Sequence, residues 1–217
     1  LTVLFPNFAA DERTMSGTVI RAGDPHTIRT RGITLLRSGH KEVRRLKRAN
    51  HTPSIHGNKV WNSSYLIMDH LTKRKLSADE HLMDIGCGWG PLSIFTAKRF
   101  GCRVTAVDAD PDVYPYLDLH ASINKVDVTP LQARFEKLTQ ARLADVDIVA
   151  GADICFWDEL TPVLYNLIRR SLRAGVKQII IADPGRSPFY ALAEKCEAGK
   201  LNSRVVERRT QTPKALR

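Results

Sequence analysis

Apolar residues along this chain follow two rhythms. Short runs rich in Val, Ile and Leu fall at His81–Ile85, Arg103–Val107, Val128–Gln132, Val146–Ala150 and Lys177–Ala182. Between them, apolar positions recur three and four apart over Pro91–Phe100, Asp112–Asn124, Trp157–Leu172 and Pro188–Cys196, the spacing of one helical face. A strand that is apolar on both faces has to be covered on both, and helices alternating with such strands supply the cover. The pattern predicts an α/β fold, a doubly wound and mostly parallel sheet. A further strand is expected at Arg204–Val206.

Ahead of that region the rhythm changes. Residues 1 to about 27 hold Pro6, Gly17, Gly23 and Pro25 with little periodicity, which reads as a loosely structured arm. From Leu35 to Asn50, Leu36, Val43 and Leu46 form one stripe while Lys41, Arg44, Arg45, Lys47 and Arg48 fill the rest. That is a basic amphipathic helix. Beyond Pro53 and Gly57, residues 60–73 set Trp61, Tyr65 and Met68 on one face with Val60, Ile67 and Leu71 beside it, a second helix. The expected organisation is an N-terminal helical extension over residues 1–55, then an α/β domain over 56–217.

Composition narrows the function classes. At 217 residues the chain favours one domain, and its longest unbroken apolar stretches, such as Ile179–Ala182, fall far short of the roughly 20 residues a bilayer crossing needs. Leu1–Phe5 is apolar, but Asp11 and Glu12 follow at once, so no secretory leader is expected. Cys87, Cys102, Cys155 and Cys196 form no C-x-x-C pair and sit in apolar or glycine-rich surroundings, which predicts reduced thiols in a cytoplasmic protein and no metal site. The formal net charge of +10 is unevenly spread. Residues 1–60 carry 11 basic and 4 acidic side chains, residues 61–200 carry 17 and 18, and residues 201–217 carry 5 and 1. The excess belongs to the ends, so it points to docking of an anionic partner beside a neutral body.

In a doubly wound sheet, ligands bind beyond the carboxyl ends of the strands. The first strand is followed by Asp84-Ile85-Gly86-Cys87-Gly88-Trp89-Gly90-Pro91. Glycines let the backbone turn sharply and lie against a ligand. The dinucleotide pattern G-x-G-x-x-G fails at Pro91. What remains suits a ligand without a pyrophosphate, with Asp84 near its amino group. The second strand ends at Asp108, placed to accept from both hydroxyls of a ribose. Asp110, followed by Pro111, reads as a helix cap instead.

Asp84-x-Gly86-x-Gly88-x-Gly90 with Val104-Thr105-Ala106-Val107-Asp108 resembles motifs I and II of the seven-β-strand, class I, S-adenosylmethionine-dependent methyltransferases. Trp61, the run Gly151-Ala152-Asp153-Ile154-Cys155-Phe156 and Asp183-Pro184-Gly185-Arg186 are similar to the small protein-lysine methyltransferase group called methyltransferase family 16, whose acidic-x-x-aromatic signature Asp153 and Phe156 match. The resemblance covers residues 56 to about 190. It implies a Rossmann-like sheet, the cofactor S-adenosylmethionine and methyl transfer to a lysine amine of a protein. Its implied cofactor contacts are Trp61, Asp84, Gly86, Cys87, Gly88, Gly90, Asp108, Ala109, Phe135 and Ala152. Asp153 is expected to orient the incoming ammonium and Phe156 to wall the acceptor; the plainer alternatives are a cap for the helix near Trp157 and core packing. Asp183 and Arg186 read either as an ion pair or as part of the substrate entrance.

Two departures stand out. The third strand reads Gln132-Ala133-Arg134-Phe135 where the family has an acidic or amide residue for adenine, so adenine recognition is expected to fall to backbone groups. The family's last strand is either absent or beyond Arg217. The N/D-P-P-aromatic tetrapeptide of amino-methyltransferases is missing at Gly151-Ala152-Asp153-Ile154, which disfavours that chemistry. The expected partner is a protein with an acidic docking surface. RNA methylation, and a cofactor-binding interaction factor without catalysis, stay open as alternatives.

Overall fold

A computed structural model of the chain describes residues 24–54, 57 and 59–213. The arm expected over the first residues lies outside this range for residues 1–23, and so does the domain boundary at residues 55 and 56. Two strands open the described chain, β1 (Thr27–Thr30) and β2 (Ile33–Leu36), followed by helices α1 (Lys41–Arg48) and α2 (Ser63–Arg74). Then come β3 (His81–Ile85), α3 (Pro91–Phe100), β4 (Arg103–Asp108), α4 (Tyr114–Asn124), β5 (Thr129–Gln132) and α5 (Gln140–Leu143). The rest is β6 (Ile148–Ala152), α6 (Leu160–Arg173), β7 (Gln178–Ala182) and α7 (Ser187–Ala198).

Strands β3 to β7 form one parallel sheet in the order β5-β4-β3-β6-β7. The chain enters at the centre, steps outward twice, then crosses back to the other side of β3. This reversal between β3 and β6 opens a crevice at the carboxyl ends of both. Alternate residues divide the core in two. Leu82, Val104, Ala106, Ile148 and Ala150 pack with Met68 and Leu71 of α2 and Phe95 of α3. Their neighbours Met83, Ile85, Val107 and Val149 pack with Leu164 and Leu167 of α6 and Leu192 of α7. Pro130 lies in β5, where it can lack an N–H because β5 pairs only with β4.

The N-terminal region departs from expectation. Residues 27–36 form an antiparallel hairpin whose two-residue turn, Arg31-Gly32, has φ of 50° and 80°, the left-handed pair of a type I′ turn. Leu35 and Leu36 therefore belong to a strand, and the basic helix starts only at Lys41, with His40 Nδ1 accepting from the Glu42 N–H at 3.2 Å. The hairpin's outer edge is satisfied by side chains of α4. Leu36 N–H donates to His120 Nε2 at 2.9 Å, and Asn124 exchanges two hydrogen bonds with the Thr34 backbone at 2.8 and 2.7 Å. The stripe Leu36, Val43 and Leu46 meets one target, the stacked pair Trp89 and Tyr116.

The strand expected at Arg204–Val206 does not form. Both valines are about half exposed, and the described chain offers this short, charged stretch no neighbouring strand to complete its hydrogen bonds. Residues 201–213 run irregularly, and Thr210 is held to Asp69 of α2 at 2.6 Å and to Arg31 at 2.8 Å.

Candidate active site

The turn from β3 into α3 forms the floor of the crevice. The N–H groups of Gly86 and Cys87 both donate to the Val107 carbonyl, at 2.8 and 3.0 Å. Gly86 and Gly90 have positive φ, and a Cβ on either would collide, with Ile154 at 2.6 Å and with Leu117 at 2.0 Å. Only glycine fits both positions. Gly88 turns its N–H to Asp108 Oδ2 at 3.0 Å, so the turn and the end of β4 are tied together.

Two carboxylates stand over this floor. Asp84 is buried and accepts from Ser93 Oγ at 2.6 Å and Ser93 N–H at 3.2 Å. Burial pushes its pKa up to about 7, with the Ser93 hydrogen bonds pulling the other way and Asp108 adding to the rise. Asp108 is also raised, mainly by burial, against the N–H donors of Asp110, Gly88 and Ala109. Asp110 caps the turn at Pro111–Val113, accepting from the Asp112 N–H at 3.0 Å, and it also accepts from Ser54 Oγ at 3.0 Å.

A cavity of about 290 Å³ lies against these groups. Of the twelve residues expected at the site, all but Gly90 line it; Gly90 shapes the turn from behind. The structure thus gathers Trp61, Asp84, Gly86, Cys87, Gly88, Asp108, Ala109, Phe135, Ala152, Asp153 and Phe156 around one space. The cavity wall is mostly apolar, with Asp84, Asp108 and the glycine turn at its floor and Asp153, Lys59, Arg134 and Glu136 elsewhere in its lining. That combination can hold a molecule with a ribose, an amino group and a flat apolar ring.

At the mouth, Asp153 has φ of +56° and 5% exposure. Its N–H donates to the Ala182 carbonyl at 2.8 Å. Oδ2 accepts from Ser63 N–H, the first residue of α2, at 3.0 Å, and Oδ1 accepts from Arg186 Nη1 at 3.1 Å. The same guanidinium nitrogen reaches Asp183 Oδ2 at 2.7 Å. Asp153 therefore caps α2, which precedes it in the chain; α6, the helix expected near Trp157, begins at Leu160. Phe156 stands 5.3 Å from Trp61, edge to face, with the Arg186 guanidinium 4.4 Å above its ring. Lys59 Nζ lies 4.1 Å from the Trp61 ring centre. Among the described residues, no group of three His, Cys, Asp or Glu side chains converges on a metal position.

Residues 82–175, which run from β3 to just past α6, match the family described as a methyltransferase domain. Over this stretch the chain is similar to methyltransferases. It is similar to the electron transfer flavoprotein beta subunit lysine methyltransferase of Xenopus laevis, 29% identical over 108 residues, or 50% of this chain and 43% of that protein. The counterpart from Danio rerio is 24% identical over 119 residues, 55% of this chain and 45% of the relative. The chain thus spans less than half the length of these relatives. Its fold resembles the crystal structure of precorrin 8W decarboxylase from Methanobacterium thermoautotrophicum, with a TM-score of 0.52 and 15% identity over 64% of this chain and 73% of the other.

Several contributors to this cavity escaped the sequence reading. Lys59, Glu136 and Leu160 line it, and each lies outside the regions that the strand-end rule singles out. At the third-strand end, the Ala133 N–H is already engaged by the Asp108 carbonyl at 2.9 Å, so this backbone donor is turned inward to the sheet. Among the described residues no helix is long and apolar enough to cross a membrane.

Proposed function

We propose that the chain transfers a methyl group from S-adenosylmethionine to a lysine amine of a protein. The observation that carries this reading is the two-part cavity. One part has Asp84, the glycine turn and Asp108 for a cofactor, and the other is an aromatic and carboxylate mouth at Asp153 and Phe156 for an acceptor. In this reading Asp108 accepts from the ribose hydroxyls and Asp84 pairs with the cofactor's amino group. Ala109, Phe135 and Ala152 enclose the rest, and Glu136 stands at the adenine end. The bound cofactor supplies an electrophilic methyl on a sulfonium. What the protein adds is mainly alignment, which can contribute on the order of 7 to 11 kcal/mol without a nucleophilic side chain or a metal.

The lysine acceptor is supported by the relatives, whose names give a lysine of the electron transfer flavoprotein beta subunit as their target. That protein is the first substrate to try. An acidic docking surface is favoured by the exposed Arg44, Arg45, Lys47 and Arg48 of α1, and a cytoplasmic setting by four buried cysteines with free thiols. The test is labelling with methyl-tritiated cofactor in lysate from cells that lack this protein. The reading predicts a labelled protein band that is lost on protease treatment. Label lost on RNase treatment instead would turn the assignment to RNA.

A further inference from the structure

We infer that Arg186 is the positioning residue that lets the acceptor lysine enter as a neutral amine, by bridging Asp153 and Asp183 at the mouth and cancelling one of their two negative charges. This rests on the lysine-methyltransferase reading and deepens it. The resemblance implies that Asp153 at the mouth orients the incoming ammonium. An ammonium has no lone pair, however, and a buried carboxylate beside it favours the charged form. Bare, the two aspartates here would trap the acceptor in its unreactive state.

The structure answers both with one guanidinium. The Asp153 and Asp183 side chains are 3% and 0% exposed, and Arg186 Nη1 bridges them at 3.1 and 2.7 Å. Arg186 is anchored further by its own N–H, which donates to Asp183 Oδ1 at 2.8 Å, and by the ring of Phe156 beneath it at 4.4 Å. Arginine keeps its proton at any working pH, so it is a fixed positive charge that cannot compete for the acceptor's proton.

The other groups facing this corner do not undo the effect. Lys59 adds a second positive charge over Trp61. Cys155 stays a neutral thiol, burial pushing it up to about 12. Asp84, Cys87 and Asp108 line the cavity deeper in, and Arg134 and Glu136 lie toward the third-strand end.

The reaction then balances simply. The ammonium gives one proton to water. The amine lone pair forms the N–C bond as the S–C bond breaks, and the sulfonium leaves as a neutral thioether. The product is a methylated ammonium.

The test is the pH dependence of kcat in the full chain, wild type against Arg186→Met and Arg186→Lys, with cofactor affinity measured alongside. In Arg186→Met the acid-side midpoint of kcat should move up by about one pH unit or more, cofactor affinity should stay within about twofold, and Arg186→Lys should return the midpoint toward wild type. If Arg186→Met does not fold, Asp183→Asn, which removes one of the two negative charges, should move the midpoint down. An unchanged midpoint with kcat lowered at every pH marks a structural role and overturns this inference alone. Wild-type protein that methylates no lysine at any pH overturns the parent reading and this inference with it.

Discussion

Gly88 and Asp108, twenty positions apart, are joined by a hydrogen bond of 3.0 Å from the Gly88 N–H to Oδ2. The other oxygen of Asp108 takes the Asp110 N–H at 3.0 Å. The carboxylate is therefore held at the crevice before any ligand arrives, and orienting it costs little on binding. Asp108→Ala should weaken S-adenosylmethionine binding by roughly 10- to 100-fold, the worth of one or two charge-assisted hydrogen bonds, while circular dichroism stays native. Calorimetric titration of the variant checks this, and unchanged affinity would remove Asp108 from the cofactor site.

In the proposed reading, Asp84 makes cofactor binding proton-linked. With its pKa held up at about 7 by burial, the free protein carries it partly protonated near neutrality. A cofactor ammonium favours the charged form, so binding below pH 7 releases a proton. Affinity should rise as pH increases through 7 until the cofactor's own ammonium titrates at about 8, and Asp84→Asn should flatten the rise. Titrations in buffers of different ionisation enthalpy measure the released proton directly.

Gly90 supports the site from outside it. Its φ is +73°, and an added Cβ would lie 2.0 Å from Leu117 Cδ1, which is buried. Gly90→Ala should cost about 1–3 kcal/mol of stability from strain and overpacking together. A urea midpoint measures this. A neutral result would mean that the turn relaxes more freely than its packing implies.

His120 gives the fold a dependence on acid. It is fully buried and accepts the Leu36 N–H, and burial holds its pKa down at about 4 against an ordinary 6.5. Between those values the unfolded chain binds a proton that the folded chain refuses. This contribution to stability is fully present above pH 6.5 and is lost as pH falls toward 4, by roughly 3 kcal/mol. Asp84, raised to about 7, works in the opposite sense, because its share is lost as pH rises through 7. The difference between wild type and His120→Gln, in urea melts at pH 7.5 and pH 5, isolates the histidine. Relative to wild type, the variant should gain about 2 kcal/mol of stability as pH falls from 7.5 to 5.

The sheet was legible because its strands are short and followed by helices and, β5 (Thr-Pro-Leu-Gln) apart, mainly apolar. The runs at His81–Ile85 and Pro91–Phe100 coincide with the elements observed. The hairpin was not, because its turn is Arg31-Gly32 and not one of the Asn-Gly or Asp-Gly pairs that announce a type I′ turn, and because Leu36 falls in helical register with Val43 and Leu46. Periodicity could not see that one strand and one helix meet the same pair, Trp89 and Tyr116. At the site, Asp108 was expected from its place at a strand end, whereas Asp153 came from the resemblance of the run Gly151 to Phe156. The link from Arg186 to Asp153 spans 33 residues. It depends on β6 and β7 lying side by side, a contact that local sequence patterns do not encode.

The central claim, methyl transfer to a protein lysine, is tested most directly by hydrolysing the fraction labelled with methyl-tritiated cofactor and identifying the labelled compound by chromatography. The account predicts label that travels with Nε-methylated lysine and disappears in Asp108→Ala. Label in a methylated nucleoside, or no label from a chain that still binds S-adenosylmethionine, would contradict it.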